Sequence, residues 1–195
     1  MNFTKITHDF FSWLQRRGLS FDDYTSEFTI QFRLAVFLEN YLSKQANIQL
    51  EVNTRRFGLQ GMVKSEIDIC IIFPDGSRHA IELKYLRDPG TYNIGMFSIC
   101  EDIRFLEQLR AGGFASGCSL SFSNLKRVYQ SHPQAPVARN LENQALHTRF
   151  RHEQRVYGEL QICTGTLNKT LTLQGRYDLA WQPVTPEVQA LVVQL

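Results

Sequence analysis

Three charged residues stand where apolar ones are expected: Asp68 inside EIDICIIF, and Glu82 and Lys84 inside HAIELKYL. Both runs alternate with period two and are rich in isoleucine, the signature of β-strands with a buried face. Pro74-Asp75-Gly76 between them reads as a turn. Its length decides which side chains meet. A three-residue loop, a type I turn followed by a left-handed residue, suits Pro, Asp and Gly in that order. It pairs Phe73 with Ser77, sets Asp68 opposite Glu82, and leaves Lys84 one step along the same face. A two-residue loop sets Asp68 opposite Leu83 and turns it to the other face. In the favoured register two carboxylates stand side by side among isoleucines, and their repulsion calls for a compensating charge such as a bound cation.

The flanking chain supplies elements that can hold such a hairpin. Thr7 is a good N-cap for a short helix through Trp13 and Leu14 that stops near Gly18. A second helix opens at Thr25 or Ser26 and runs to about Lys44, with Phe28, Leu34, Phe37, Leu38, Tyr41 and Leu42 at helical spacing. Glu27 and Gln31, four apart in its first turns, share a face. Residues 48–52 alternate as a strand, and a loop carrying Arg55 and Arg56 leads to the hairpin. A helix over 93–110 follows, with Ile99, Ile103, Leu106 and Leu109 as its buried stripe and Gly112-Gly113 as its stop; Asp102 on it can face the hairpin acids, but a solvated helix face is the first expectation. CSLSFS gives a fourth strand, 130–139 a loop and 141–148 a short helix. Strands near 155–163 and 170–181, joined by TGTLNK, form a β-rich tail, and Thr185-Pro186-Glu187 opens a brief terminal helix. The order predicts an α/β sandwich with a mixed central β-sheet flanked by helices.

With 195 residues and neither repeat nor linker, the chain is expected to form one domain, 1–195. A hydrophobic content of 43% and a formal net charge of +2 are ordinary, so nucleic-acid binding must be argued from where the basic residues fall. Cys70, Cys100, Cys118 and Cys163 are widely spaced and read as free thiols in a reducing cytoplasm. No apolar stretch approaches membrane-spanning length, and MNFTKITHDFF lacks the pattern of a leader.

Asp68 followed by Glu82-Leu83-Lys84, with this order of elements, resembles the PD-(D/E)xK nuclease superfamily over about residues 25–125, leaving 126–195 as the β-rich C-terminal part. Ile67 stands where the family motif often has proline. The resemblance implies a restriction-endonuclease-like three-layer sandwich and a divalent metal, usually Mg²⁺ with Mn²⁺ as a possible substitute, held by Asp68 and Glu82. It also implies that Lys84 activates or positions water or stabilises charge on the phosphate, and that an acid of the first core helix, best matched by Glu27, assists. Magnesium wants hard oxygen ligands and keeps several waters, so two carboxylates and a backbone carbonyl suffice. Such an ion polarises a phosphate oxygen and acidifies bound water. Burial of Lys84 disfavours its charged form, which opens a base role.

The expected function is a metal-dependent endonuclease that hydrolyses phosphodiester bonds of nucleic acid, DNA in the first instance, of restriction or defence type. Cutting two strands with so small a unit calls for a homodimer. Arg55, Arg56, Lys64, Lys126 and Arg127 are the candidate phosphate contacts, since they flank the hairpin and the fourth strand. Arg149 and Arg151 extend the list, while His147 and His152 read as surface histidines. The rival reading is a catalytically inactive module that uses the same fold to bind nucleic acid or protein. At the residue level its counterpart is a plain cross-strand ion pair between Glu66 and Lys84.

Overall fold

The hairpin closes in the three-residue register. In the computed structural model, which describes residues 1–18, 26–43, 45–130 and 141–195, Phe73 N donates to Ser77 O at 3.0 Å and Gly76 N to Phe73 O at 3.0 Å. Gly76 takes φ +83°, the left-handed position that a residue without Cβ occupies at least cost. Strands β2 (Glu66–Ile72) and β3 (Arg78–Leu86) then pair Ile72 with Arg78, Ile71 with His79, Cys70 with Ala80 and Ile69 with Ile81. The next position in that register sets Asp68 against Glu82.

Around the hairpin the chain builds one mixed sheet of six strands. β1 (Asn47–Asn53) lies antiparallel to β2, β4 (Ser116–Ser123) parallel to β3, and β8 (Gln189–Gln194) and β7 (Trp181–Pro183) complete the order β1-β2-β3-β4-β8-β7. The parallel β3–β4 step requires a crossover, which α3 (Tyr92–Ala111) provides. The C-terminal part adds β5 (Arg155–Thr164) and β6 (Leu167–Asp178), a separate antiparallel pair that packs on α3. One face of the sheet is covered by α1 (Phe3–Arg16) and α2 (Glu27–Tyr41): Phe10, Leu14, Ile30, Leu34 and Leu38 interlock with Ile69, Ile71, Ile81, Leu83 and Leu120. On the other, Phe105, Leu106 and Leu109 of α3 cover Ile67, Cys70 and Ala80. Helices on both faces of a mixed sheet are the α/β layering expected from the element order.

Several boundaries differ from the sequence expectation. α1 starts five residues early because the Asn2 side chain, rather than Thr7, caps it by accepting from Lys5 N at 2.9 Å; Thr7 is buried inside the helix. The buried stripe of α2 is Ile30, Leu34, Phe37 and Leu38, which places Phe28 on the opposite side, 65% exposed. The expected terminal helix is absent. Thr185 closes a turn, its hydroxyl accepting from Val188 N at 3.0 Å, and Ala190, Leu191 and Val193 are buried in β8 against β4. The link between β5 and β6 is tighter than TGTLNK suggests: Thr164 pairs directly with Leu167 across Gly165-Thr166, and Trp181 belongs to β7. Most of the expected 130–139 loop, together with Thr25 and Lys44, lies outside the described residues. Cys70, Cys100 and Cys118 are buried free thiols and Cys163 is half-buried. Among the described residues no helix is long and apolar enough to cross a membrane.

Candidate active site

The β2–β3 ladder stops being made by backbone groups where the two acids meet. Asp68 Oδ2 accepts from Leu83 N at 2.7 Å, and Glu82 Oε1 accepts from Asp68 N at 3.3 Å. Each carboxylate thus binds an amide that an uninterrupted ladder would pair with a carbonyl, and the acids are locked beside each other. Strand alternation puts Glu82 and Lys84 on the face that α3 covers, level with Ser119 and Ser121 of β4. Glu82 is completely buried.

Asp102 completes the acidic set, contrary to the expectation of a solvated helix face. It is 2% exposed and meets Glu82 through a shared partner, Lys64. The Lys64 ammonium donates to Glu82 Oε2 and, at 2.8 Å, to Asp102 Oδ1. Lys64 therefore points inward to the acids and not outward along a phosphate track. Asp102 Oδ2 and the hydroxyls of Ser119 and Ser121 are buried with no hydrogen-bond partner among the described residues. The acids of this centre share it with an ammonium group, and among the described residues no three His, Cys, Asp or Glu side chains form a ready metal cluster.

Glu27 reaches the other side of the same centre from the first turn of α2, where Ser26 caps the helix by accepting from Thr29 N at 3.2 Å. Its Oε1 accepts from Lys84 Nζ at 3.1 Å and its Oε2 from Tyr85 N at 3.0 Å. Lys84 is therefore paired with Glu27; Glu66 instead pairs with Asn53 across β1–β2. One turn on, Gln31 donates to Asp68 O at 2.7 Å and to Glu51 Oε1 at 2.5 Å. Glu51 adopts φ +51° within β1, and the β1–β2 pairing skips it between Leu50–Ile69 and Val52–Ile67. A left-handed non-glycine costs about 1 kcal/mol, and here it lies beside Asp68. Gln31, Glu51, Lys64 and Asp102 thus join the expected Asp68, Glu82, Lys84 and Glu27.

Burial raises the Asp68 and Glu82 carboxyls above their ordinary range, and for Glu82 the neighbouring Asp68 adds to it, against the opposing pull of Lys64. Burial likewise pushes Asp102 up to about 6, with Lys64 and Lys84 pulling the other way. Lys84 departs from expectation. Burial works against its charge, but Asp102 and Glu27 outweigh it and its pKa goes up. It sits at the site as an ammonium, which favours charge stabilisation over proton abstraction. A folded-state pKa above the unfolded one means stability that is present below the unfolded value and lost as pH rises through the folded value. In metal-free protein Asp102 should therefore cost up to about 3 kcal/mol between pH 4 and 7. Urea titrations at pH 5 and pH 7.5 should show a drop that Asp102→Asn reduces; an identical drop in both proteins would refute it.

Arg55 and Arg56, on the 3-10 turn after β1, and Lys126 and Arg127, on α4 (Lys126–Tyr129) after β4, are exposed. Both stretches leave the sheet at the end where β2 begins and β3 finishes, the end that carries the acids. Arg56 bonds Gln49, and Arg127 lies 4.8 Å over the Tyr92 ring. Arg149 is turned back onto the Tyr157 and Glu159 carbonyls, while His147 is 6% exposed and bonds Asn93 Oδ1 at 2.7 Å. Beside Lys84 a cleft of about 320 Å³ opens between the end of β3 and the start of α3, lined by Arg87, Thr91, Tyr92 and Ser98 among others. A larger groove, about 580 Å³ between α1 and β7–β8, holds no acidic residue. No protein-family model matches the chain, and neither the curated proteins nor the solved structures give a match.

Proposed function

We propose that the chain is a metal-dependent endonuclease hydrolysing phosphodiester bonds of nucleic acid, with DNA as the first substrate to test. The observation that carries this reading is the convergence of Asp68, Glu82 and Lys84 on one face, where the carboxylates take over from the backbone ladder. Buried acids packed against one another raise the free energy of the metal-free centre, and such cost concentrates where chemistry is done. The restriction-endonuclease-like version of the sandwich is part of the same proposal, supported by the helix–strand–hairpin–helix–strand order.

The donor set fits a hard divalent cation: the carboxylate oxygens of Asp68 and Glu82, with an unpartnered Asp102 Oδ2 nearby. Asp68 and Glu82 would hold Mg²⁺ or Mn²⁺, which when bound supplies Lewis-acid activation of a phosphate oxygen and of water. Lys84 brings a positive charge to the edge of the cleft, where the developing phosphorane charge is stabilised. Glu27 fixes the Lys84 ammonium, and Gln31 fixes the Asp68 backbone. Arg55, Arg56, Lys126 and Arg127 offer phosphate contacts at the same end of the sheet, and a homodimer would give one such site per strand.

The test is cleavage of plasmid and linear DNA by the purified chain. Cutting should require Mg²⁺ or Mn²⁺ and stop in EDTA. Cutting undiminished by EDTA would overturn the proposal, and metal-independent binding of nucleic acid without cutting would favour the inactive binding module.

A further inference from the structure

Lys64 reaches the site from a loop, outside the strand pattern and the hairpin that place Asp68, Glu82 and Lys84. It stands on the stretch between the 3-10 turn and β2, yet that stretch is tied down on both sides of it. Val63 N donates to Gln108 Oε1 of α3 at 2.9 Å, and Thr54 N to Ser65 O at 2.8 Å. The ammonium itself sits 5.7 Å over the Phe105 ring and between Glu82 and Asp102. Glu82 and Asp102 are 0% and 2% exposed, and Asp102 Oδ2 is left without a partner. A buried, unpartnered carboxylate oxygen beside two further acids still lacks positive charge.

The charges at the centre specify how much is lacking. Setting apart Glu51, which is exposed and bonded only to Gln31, the acids around the two lysines are Glu27, Asp68, Glu82 and Asp102, four carboxyl groups against the two ammonium groups of Lys64 and Lys84. With all four ionised, the acids exceed the lysines by two charges, the charge of one divalent ion. Without Lys64 the excess would be three charges, more than one such ion could balance in a low-dielectric pocket. Burial works against the Lys64 charge, but Asp102, Glu82 and Asp68 outweigh it and raise its pKa.

We propose that Lys64 is a resident cation of the acidic centre, bridging Glu82 and Asp102 in place of a second divalent ion, so that the centre takes up a single ion and keeps Lys64 inside when loaded. This rests on the metal-dependent reading of the site and adds to it a positioning residue, Lys64, and a third acid, Asp102. A lysine in that place fixes the two carboxylates before any metal arrives, and the site is then assembled for one ion only.

The test uses the full chain. Mn²⁺ calorimetry should give one ion per chain for the wild type and two for Lys64→Gln, with a spin-coupled Mn²⁺ pair in the electron paramagnetic resonance spectrum of the variant only. Acylation of Lys64 by an amine-reactive ester, read by mass spectrometry, should be equally slow with and without Mn²⁺. Two ions in the wild type, one ion bound with unchanged affinity by Lys64→Gln, or faster Lys64 acylation on loading would each overturn the inference. If Lys64→Gln does not fold, the wild-type stoichiometry and acylation decide it. A wild type that binds no Mn²⁺ removes the metal-dependent function as well, whereas one ion bound with Lys64 newly reactive removes only the resident cation.

Discussion

Asp68→Asn and Glu82→Gln should each lower Mg²⁺-dependent cleavage by about 1000-fold or more, with the fold intact. Both changes keep the shape and an acceptor oxygen, so Leu83 N retains a partner in Asp68→Asn and Asp68 N retains one in Glu82→Gln. What they remove is the anionic ligand. Lewis-acid stabilisation of a phosphoryl transition state is worth several kcal/mol, and about 4 kcal/mol corresponds to three decades in rate. Stability should move little or upward in Asp68→Asn, because burial disfavours its charged form in the metal-free protein, whereas Glu82→Gln also breaks the buried bridge to Lys64 and should lose stability. Lys84→Met should cost about 100-fold through lost charge stabilisation. Turnover on a labelled duplex, together with melting temperature, checks all three. A variant of either acid that kept a tenth of wild-type activity with saturating Mg²⁺ would remove it from the metal site.

Lys64→Met should lower the unfolding free energy of metal-free protein by about 3–5 kcal/mol, the range for breaking a buried ion pair from one side. The lysine is the hydrogen-bond partner of both Glu82 and Asp102, and its loss strands two acids in a dry pocket. Adding Glu82→Gln to Lys64→Met should recover about 2 kcal/mol, a coupling expected only between contacting residues. Urea unfolding of the four proteins in EDTA gives the cycle. A single-variant cost under about 1 kcal/mol, the value for exposed pairs, would show that the bridge is not buried in solution.

The sequence was readable at the hairpin because turn chemistry is local. Pro74, Asp75 and Gly76 each suit one position of a three-residue loop, and the register follows from counting. For Asp102 the sequence offers both a place facing the site and a solvated face, and the spacing favours the first: at three after Ile99 and four before Leu106 it lies inside the apolar stripe, where an acid needs a partner. Lys64 carried no such signal, because a lysine on a loop looks the same whether it turns to water or to a buried carboxylate. Gln31 was visible as a polar residue sharing a face with Glu27, but its bonds to Asp68 O and Glu51 depend on β1 departing from regular pairing. The C-terminal strand was mistaken for a helix because Thr-Pro-Glu fits a helix start. Burial of Ala190, Leu191 and Val193 against β4 overrode that cue.

That last strand sets the order in which the molecule can form. β8 closes the free edge of β4, Gly117 and Leu195 exchange backbone bonds of 3.0 and 2.8 Å, and Gln194 accepts from Phe3 N across 191 residues of chain. During synthesis β4 can pair with β3 before β8 has emerged, which leaves the far edge of β4 open, and pairings as distant in sequence as β4 with β8 form slowly. Emergence of residues 189–194 then covers the open edge of β4, which until that point is available for mispairing.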